Sequence, residues 1–352
     1  MTSPQLTQPA IASAYPCVPG YLNTASYGLP PLASSTALHA ATDAWSRGLL
    51  DPADMDPVVD RMRAAYATLV GADAADVTLA GSVSQVVGMV AASLSDSARV
   101  LAVRNDFASV LFPFLSDPRL TVTLVELDDL VDAIRPGIDL VAVSAVQSCD
   151  GRVADLTGVA MAARAAGVKT LIDVSHAAGW LPMHARDFDV VVAAAYKWLT
   201  APRGIALAAI HPRATWIRAV NASWYGADEP WNSLYGPRVN ASATARRFDT
   251  SPPWQLVEAG AISLETLASA DVHRTHAYVV GLANAFRSRV GLPEGASPIV
   301  SVDGADAAAL ADAGITVASR NGKARLSFYV YNTMADVEAA ATAVGSKVLA
   351  NA

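Results

Sequence analysis

Short apolar runs alternate with helix-sized segments through the middle of this 352-residue sequence. The runs lack the in-and-out alternation of a strand that is exposed on one face. Strands of this kind are covered on both faces, as in a parallel sheet between layers of helices. The pattern therefore predicts an α/β fold with a mostly parallel sheet. The runs span residues 99–103, 121–125, 138–143, 168–172, 188–194 and 204–210.

The segments on either side of this region also carry regular patterns. Residues 31–48 look helical, and in residues 55–70 the apolar side chains recur at the spacing of one helix face. Several tryptophans and prolines in residues 223–253 interrupt the pattern and indicate a passage between domains. Beyond them we predict two helices within 254–290, strands at 299–302 and 325–330, and a final helix from 334 to about 349.

The length of the chain favours more than one domain. At 352 residues it exceeds the size at which a single core usually stops growing. We predict a loosely held arm at residues 1–20, a large domain at 21–235 and a small α+β domain at 236–352. An inter-domain helix is expected near residues 254–272.

Composition argues against several classes of protein. With a net charge of -7 and no basic run, a nucleic-acid partner is disfavoured. Cys17 and Cys149 show no CxxC or Cys/His spacing, so neither a disulfide framework nor a metal site is expected. No apolar stretch reaches bilayer-spanning length, and the first residues do not resemble a leader peptide. We therefore expect no membrane partner and a cytoplasmic location.

One of only four lysines has an unusual position. Lys197 directly follows a strand that is predicted to be buried, whereas Lys169, Lys323 and Lys347 are predicted to be solvated. A buried ammonium is costly unless it is paired or its pKa is lowered, and a lowered pKa is what an amine nucleophile needs to form an imine. A lysine that extends to the surface from the strand end is the simpler alternative.

Asp173 ends the neighbouring predicted strand. Ligands of open α/β sheets bind beyond the carboxyl ends of the strands, so Asp173 and Lys197 are expected to face one crevice. A carboxylate there is suited to keep the pyridine nitrogen of pyridoxal 5'-phosphate (PLP) protonated, so that the ring acts as an electron sink. An aspartate that caps the next helix is the alternative.

The third feature is a glycine-serine turn that opens a helix. Gly81, Ser82 and Val83 precede an apolar segment, and the free N–H groups and dipole of a helix start can bind a phosphate. Serine caps without any ligand are common, so the turn carries weight only together with Lys197 and Asp173.

With these features in this order, the chain resembles the class V aminotransferase family of PLP enzymes. That family has the type I fold and includes cysteine desulfurases, kynureninase-like hydrolases and carbon-sulfur lyases. The resemblance extends from Tyr21 to Glu338 and is most specific in residues 171–179 and 188–204. It implies a sheet of the seven-stranded type between helices, a small C-terminal α+β domain, and a homodimer with sites at the interface.

The resemblance implies a role for each matching residue. Lys197 would form the Schiff base, and Asp173 would pair with the pyridine nitrogen. Arg325 would receive the substrate α-carboxylate, a task that suits a guanidinium, although a surface arginine is the alternative. Tyr27 is expected in the substrate pocket, together with Trp224, Tyr225 and Trp231, with packing or interface roles as the alternative. The remaining cofactor contacts would be Gly81, Ser82 and Val83 at the phosphate, Phe107 stacked on the ring unless it packs in the core, Gln147 near the ring hydroxyl, His176 near the ring hydroxyl or on the phosphate side, and Tyr196 at the phosphate.

The chain also departs from the family pattern. Desulfurases carry a cysteine between two arginines that correspond to Arg320 and Arg325, and here that interval contains no thiol. Desulfuration through a persulfide is therefore disfavoured. Ala194 stands where many relatives have a phosphate-binding serine, and residues 247–254 replace a Gly-Thr pattern that reaches the neighbouring subunit's phosphate. Ser251 is the expected substitute.

The implied activity is that of a PLP enzyme acting on a small α-amino acid through a lysine Schiff base and a quinonoid intermediate. Aminotransfer is favoured, and a carbon-sulfur or other β-eliminating lyase is the alternative. A non-catalytic binding protein is disfavoured because Lys197, Asp173 and Arg325 are all present. A dinucleotide-dependent dehydrogenase lacks support because no GxGxxG follows an early strand.

Overall fold

The structure, a computed structural model, describes residues 6–348, with side chains described up to residue 345. Within that range the chain forms ten α-helices and ten β-strands. The helices are α1 (Leu32–Ser46), α2 (Asp56–Val70), α3 (Val83–Ser93), α4 (Ala108–Leu115), α5 (Leu130–Ala133), α6 (Leu156–Ala166), α7 (Trp254–Ala268), α8 (Val272–Arg289), α9 (Ala307–Asp312) and α10 (Met334–Val348). The strands are β1 (Val77–Ala80), β2 (Arg99–Val103), β3 (Thr121–Val125), β4 (Leu140–Ser144), β5 (Lys169–Asp173), β6 (Val190–Ala194), β7 (Ala206–Ile210), β8 (Ile299–Val302), β9 (Ala318–Arg320) and β10 (Lys323–Ser327).

Seven strands form the main sheet, in the order β1-β7-β6-β5-β4-β2-β3. Strands β3, β2, β4, β5 and β6 pair in parallel, whereas β7 is antiparallel to both of its neighbours. The reversal at β7 has a simple cause. A parallel crossover needs a dozen or more residues and usually a helix, and β6 is joined to β7 only by the irregular segment 195–205. The predicted mostly parallel, seven-stranded α/β fold is confirmed.

Alternate residues of the central strands enter two separate hydrophobic cores. In β4, Val141 and Val143 belong to one core, and Leu140 and Ala142 belong to the other. Both faces of the sheet are therefore covered by helices, which explains why these strands are apolar throughout. The edge strand β3 is the exception, because it is only partly buried.

The strands of the main sheet agree with the predicted runs to within two residues at each end. Strands β2 and β3 coincide with their runs, and the other four runs lose one or two residues at the start. Strand β1 was not predicted, because Val77–Ala80 offers only four residues before the turn at Gly81. No helix among the described residues combines the length and apolarity needed to cross a membrane.

A second, three-stranded antiparallel sheet has the order β8-β10-β9. Strands β9 and β10 are joined by Asn321 and Gly322 alone, which have φ values of 49° and 76°. Positive φ at both central residues is typical of the tight turn that matches the twist of a hairpin, and asparagine followed by glycine is its preferred sequence. This turn fixes the separation of the residues on either side of it.

The amino-terminal arm is not loosely held where the structure describes it. Tyr15 is 5% exposed, and its hydroxyl lies 3.4 Å from Thr200 Oγ1. Gln8 Nε2 donates to the carbonyl of Val330 at 3.0 Å. The prediction rested on polar composition, which does not reveal that a single aromatic ring anchors the segment. Residues 1–5 of the predicted arm lie outside the described range, and the domain division at residue 235 stays a prediction.

A buried ion pair ties the segment before α7 to the main sheet. Asp249 is fully buried and accepts hydrogen bonds from Nη2 of Arg63 on α2, from Thr78 Oγ1 at 2.8 Å and from the Leu79 N–H at 2.9 Å. The same arginine lies 3.6 Å from Asp60, whose side chain is 65% exposed. One guanidinium thus meets one buried and one solvated carboxylate.

Separate replacement of Asp249 and Asp60 measures how much burial of the ion pair contributes to the free energy of unfolding. We expect Asp249→Ala to lower the free energy of unfolding by about 3–5 kcal/mol, because it leaves the Arg63 charge buried without its partner. Asp60→Ala should cost less than about 1 kcal/mol, since that pair is solvated. Urea unfolding of both variants is the measurement. Equal losses for the two would show that the buried pair does not organise this region.

Candidate active site

A cavity of about 440 Å³ opens beyond the carboxyl ends of β5 and β6. Its wall is formed by the turns that precede α3 and α4, by the ends of the two strands and by the segment between β6 and β7. This is the place where ligands of open α/β sheets are expected. Lys197 and Asp173 both line the cavity, so the predicted crevice exists and contains both residues.

Lys197 lies in the segment after β6 and is 6% exposed. Its Nζ is 2.9 Å from His176 Nε2 and 4.9 Å from the centroid of the Phe107 ring. Burial lowers the pKa of Lys197 to about 8, and the nearby Asp173 carboxylate opposes this effect. Gly28 approaches the Lys197 carbonyl oxygen so closely that a Cβ atom would lie 2.0 Å from it. The lysine is therefore a confined amine that loses its proton readily.

Two indole groups hold His176, which is itself buried. Trp198 Nε1 donates to His176 Nδ1 at 3.2 Å, and Trp180 Nε1 donates to the His176 carbonyl at 2.7 Å. Burial holds the pKa of His176 well below its usual value, so the ring is neutral and carries one proton. Because an indole N–H only donates, that proton must be on Nε2. Nε2–H then donates to Lys197 Nζ, which is satisfied only when the lysine is a neutral amine.

Asp173 ends β5 and is 4% exposed. Its Oδ1 accepts a hydrogen bond from the Ser175 N–H at 2.8 Å. Burial raises the pKa of Asp173, and the positive charge of Lys197 acts against that rise. A carboxylate in this position gains stability from any cation that enters the cavity. The alternative of a simple helix cap does not apply, because no helix follows β5 directly.

The turn before α3 forms the opposite end of the cavity. Ser82 caps the helix, since its Oγ accepts from the Gln85 N–H at 3.3 Å, and the Gly81 N–H donates to Gln85 Oε1 at 2.9 Å. The N–H groups of Ser82 and Val83 have no acceptor within the helix. Arg203 completes this end, with its guanidinium 4.9 Å from the centroid of the Tyr196 ring. The donor set at this end is suited to an anion.

Phe107 and Gln147 lie around an aspartate that was not predicted. Phe107 is 40% exposed and lines the cavity, so the alternative of a core residue is wrong. Asp106 is buried and accepts from the N–H groups of Phe107 at 2.6 Å and Ser144 at 2.7 Å, which fixes the start of α4. Gln147 is buried beside it, and its Oε1 has no hydrogen-bond partner among the described residues.

Arg325 lies on β10 and is 1% exposed, so the surface alternative is wrong. Its Nη1 donates to the carbonyl and the hydroxyl of Ser148 at 2.6 and 3.1 Å, and its Nη2 donates to Ser26 Oγ at 2.9 Å. Nε has no partner among the described residues. Burial lowers the pKa of Arg325 to about 10. A buried guanidinium that contacts only neutral oxygen atoms is costly until an anion pairs with it.

Several predicted residues are not part of the cavity wall, among them the buried Gln147, His176 and Arg325. Ser251 is exposed and does not line the cavity of its own chain. Tyr27 packs on Tyr196, with their ring centroids 5.5 Å apart. Trp224, Tyr225 and Trp231 pack together with Trp254, and Tyr225 and Trp231 donate to Asp56. The three aromatic residues of the expected substrate pocket thus form an aromatic cluster of their own.

Sequence reasoning missed four residues that shape the cavity. Ser175 and Arg203 stand inside the most specific stretches and could have been selected there. Asp106 precedes Phe107 directly, but nothing in its neighbours indicates that it is buried. Trp198 stands in the same stretch as Arg203, but its contact with the His176 ring spans 22 residues and could not be read from the sequence.

The chemical groups of the site match those of PLP. Unbonded N–H groups and Arg203 suit a phosphate dianion, and the exposed face of Phe107 suits a planar ring. Asp173 is the only acidic residue among those that line the cavity, which suits it to the ring nitrogen. The orphaned oxygen of Gln147 suits a hydroxyl donor, and the Lys197 amine suits an aldehyde.

Comparison with known proteins gives the same family. The profile of the family described as Aminotransferase class-V matches residues 117–280. A kynureninase from Salinispora tropica is 26% identical over 267 residues, which cover 67% of this chain and 61% of the relative. An uncharacterized aminotransferase, YcbU, from Bacillus subtilis is 24% identical over 200 residues, with coverages of 53% and 52%. The chain thus spans between half and two thirds of these curated relatives.

Solved structures share the fold over nearly the whole chain. The cysteine desulfurase CsdA from Escherichia coli superposes with a TM-score of 0.78 at 18% identity, covering 96% of this chain and 98% of that one. The cystine C-S lyase C-DES, in a complex with its product cysteine persulfide, gives a TM-score of 0.83 at 14% identity, with coverages of 94% and 98%. The matched profile and a cavity that suits the cofactor make the chain similar to the class V aminotransferase family of PLP-dependent enzymes.

Proposed function

We propose that the protein holds PLP on Lys197 and transforms a small α-amino acid at its Cα atom, with aminotransfer as the favoured outcome. The observation that carries this proposal is the shared cavity of Lys197 and Asp173, in which Lys197 Nζ lies 2.9 Å from His176 Nε2 and burial lowers the pKa of the lysine. The amine can join the aldehyde group of PLP, and the carboxylate can pair with the nitrogen of its pyridine ring. The chain spans only part of its curated relatives, so the residues of the site, and not the activities of those relatives, support the proposal.

The proposed cofactor contacts follow from the donors and acceptors of the cavity. Asp173 would pair with the ring nitrogen, and Phe107 would stack on the ring. His176 and Gln147 would lie near the ring hydroxyl. The phosphate would be held by the turn of Gly81, Ser82 and Val83, with Tyr196 and Arg203 beside it.

Lys197 is also the proposed general base. When bound, PLP supplies an electron sink for the electron pair that stays at Cα after its proton leaves. Lys197 takes that proton at Nζ, which requires the neutral amine. A pKa of about 8 makes this form far more abundant near neutral pH than an ordinary lysine would. Arg325 orients the substrate by pairing with its α-carboxylate, for which its unpartnered Nε and its Nη2 are suited.

Removal of the Cα proton serves both aminotransfer and elimination of a β-substituent, so a lyase remains the alternative. Persulfide chemistry is disfavoured by the thiols. Cys17 is exposed in the arm, and burial raises the pKa of Cys149, which keeps it from being a thiolate. The interval between Arg320 and Arg325 is a tight hairpin that contains no cysteine.

The proposal includes a cytoplasmic homodimer with sites at the interface. Ser251 does not line the cavity of its own chain and is exposed, as a residue that completes a partner's phosphate site would be.

The first test of the cofactor site is the visible absorption of the protein purified with PLP. Wild-type protein should be yellow, and borohydride should bleach it and leave the cofactor attached to the peptide that contains Lys197. Lys197→Ala should lose both the attachment and at least about a thousandfold in turnover, because the covalent link and the general base are both removed. Lys169→Ala is the matched control, since that amine lies over the Trp216 ring, outside the cavity. Mass spectrometry that finds the cofactor on another lysine would contradict the proposal.

The second test concerns the proton on Lys197 itself. Competitive acetylation of the cofactor-free protein, read by mass spectrometry, should give Lys197 a midpoint near pH 8, against 10.5 for an ordinary lysine. In Trp198→Phe, His176 Nδ1 loses its donor, so the ring can take its proton on Nδ1 and accept from the lysine ammonium at Nε2. This stabilises the charged form and should raise the midpoint by about one pH unit. Trp180→Phe removes an indole that touches only the His176 carbonyl and should leave the midpoint unchanged. Equal shifts of the Lys197 midpoint in Trp198→Phe and Trp180→Phe would rule out control of the His176 tautomer by Trp198.

The third test separates aminotransfer from elimination. An aminotransferase incubated with an amino acid and no 2-oxo acid should stop after one turnover, with the cofactor left in its aminated form. Addition of a 2-oxo acid should restore turnover. Steady release of ammonia and a 2-oxo acid without any acceptor would instead identify a lyase.

A further inference from the structure

Two arginine side chains of the β9–β10 hairpin meet at one hydroxyl group. Nη2 of Arg325 donates to Ser26 Oγ at 2.9 Å, and Nη2 of Arg320 donates to the same oxygen atom at 3.4 Å. The other side-chain hydrogen bond of Arg320 goes to the Ser319 carbonyl, and among the described residues no carboxylate pairs with either guanidinium. Two like charges at this separation repel each other, so the pair is suited to an anion that contacts both.

The hairpin register explains why these two cations are left without partners. Arg320 is opposite Lys323, and Ala318 is opposite Arg325, so all three cationic side chains project from one face of the hairpin. Lys323 Nζ is paired with Asp303 Oδ2 at 2.8 Å. One of the three charges is therefore neutralised within the protein, whereas those of Arg320 and Arg325 are not.

Both free charges act on the candidate active site. The pKa of Lys197 is lowered first by burial, and the positive charges of Arg325 and Arg320 lower it further against the opposing effect of Asp173. The pKa of His176 is lowered by burial and then by Lys197 and the same two arginines. Geometry places the hairpin beside the same site, because Ser26, which receives both guanidinium groups, is two residues before Gly28, and Gly28 packs against the Lys197 carbonyl.

We propose that the preferred substrate is an α-amino acid whose side chain ends in a second carboxylate. This inference rests on the proposed function and names its substrate class. The α-carboxylate pairs with Arg325, and the side-chain carboxylate pairs with Arg320. An uncharged side chain would leave Arg320 beside Arg325 with only one negative charge between them. The cofactor phosphate does not supply the second charge, because its donors lie in the turn before α3 and at Arg203.

Matched acids and amides test this preference. The visible absorbance of the PLP-loaded enzyme is titrated with L-aspartate against L-asparagine and with L-glutamate against L-glutamine. In each pair the two ligands have nearly the same shape and differ in charge. In wild-type enzyme the acid of at least one pair should bind about ten- to a hundredfold more tightly than its amide. This is the gain in affinity expected from one charge-assisted hydrogen bond.

Variants of the hairpin assign the preference to one residue. Arg320→Gln should remove the preference and leave the affinity for the amides within about twofold, whereas Arg320→Lys should keep part of it. Lys323→Gln is the matched control, because it removes a cation from the same face whose charge is already paired with Asp303. It should leave the acid-to-amide ratio unchanged. Thermal unfolding of each variant checks that the hairpin is folded.

Each other outcome overturns the inference or separates it from the proposed function. Equal affinity for acids and amides in wild-type enzyme would overturn it, while the absorbance change itself would still support the proposed function. Equal loss of affinity for acid and amide in Arg320→Gln would also overturn the inference, because both arginines would then bind the α-carboxylate.

If no amino acid alters the absorbance, the proposed function fails, and the arginine pair is judged by thermal stabilisation with succinate against butyrate. A stabilisation by succinate that Arg320→Gln removes would support the paired-anion site. Equal effects of the two ligands would overturn it.

Discussion

The burial of one amine organises this site. Lys197 lies at the end of a fully covered strand, where an ammonium ion would lose most of its solvation. The neighbouring groups reduce that cost in a specific way: Trp198 orients the proton of His176, and His176 directs that proton at the lysine nitrogen. The hydrogen bonds are complete only for the neutral amine. A lysine whose pKa is lowered in this way is suited both to join an aldehyde and to accept a proton.

The positions of the charged groups around the cavity matter more than their number. Asp173 is the only acid among the cavity-lining residues and lies beside the lysine. The helix start at Ser82 and the Arg203 side chain occupy one end, and the Arg320 and Arg325 side chains approach from the second sheet. Since none of these three arginines has a carboxylate partner in the described part of the chain, the site is prepared for anions from outside the protein.

The sheet topology explains how such distant residues reach one place. Strands β5 and β6 are parallel neighbours, so the residues that follow them emerge at the same edge. The short connection to the antiparallel β7 keeps Lys197 at that edge rather than carrying the chain across the sheet. Arg325 comes from the last strand of the second sheet and is held by Ser26 and Ser148, which are distant from it and from each other in the sequence. The site is thus closed by contacts that join both sheets.

The sequence by itself determined the fold class, most strand positions and the pair of Lys197 and Asp173. It did so because fully covered strands must be apolar along their length, and because adjacent parallel strands end at one edge. Tertiary structure alone decided the proton on His176, the burial of Asp106, the aromatic cluster around Trp231 and the uncompensated Arg320. Each of these depends on which side chains meet across tens to hundreds of residues, from 22 between His176 and Trp198 to 294 between Ser26 and Arg320. Local pattern carries no information at that range, because packing of the whole chain selects those contacts.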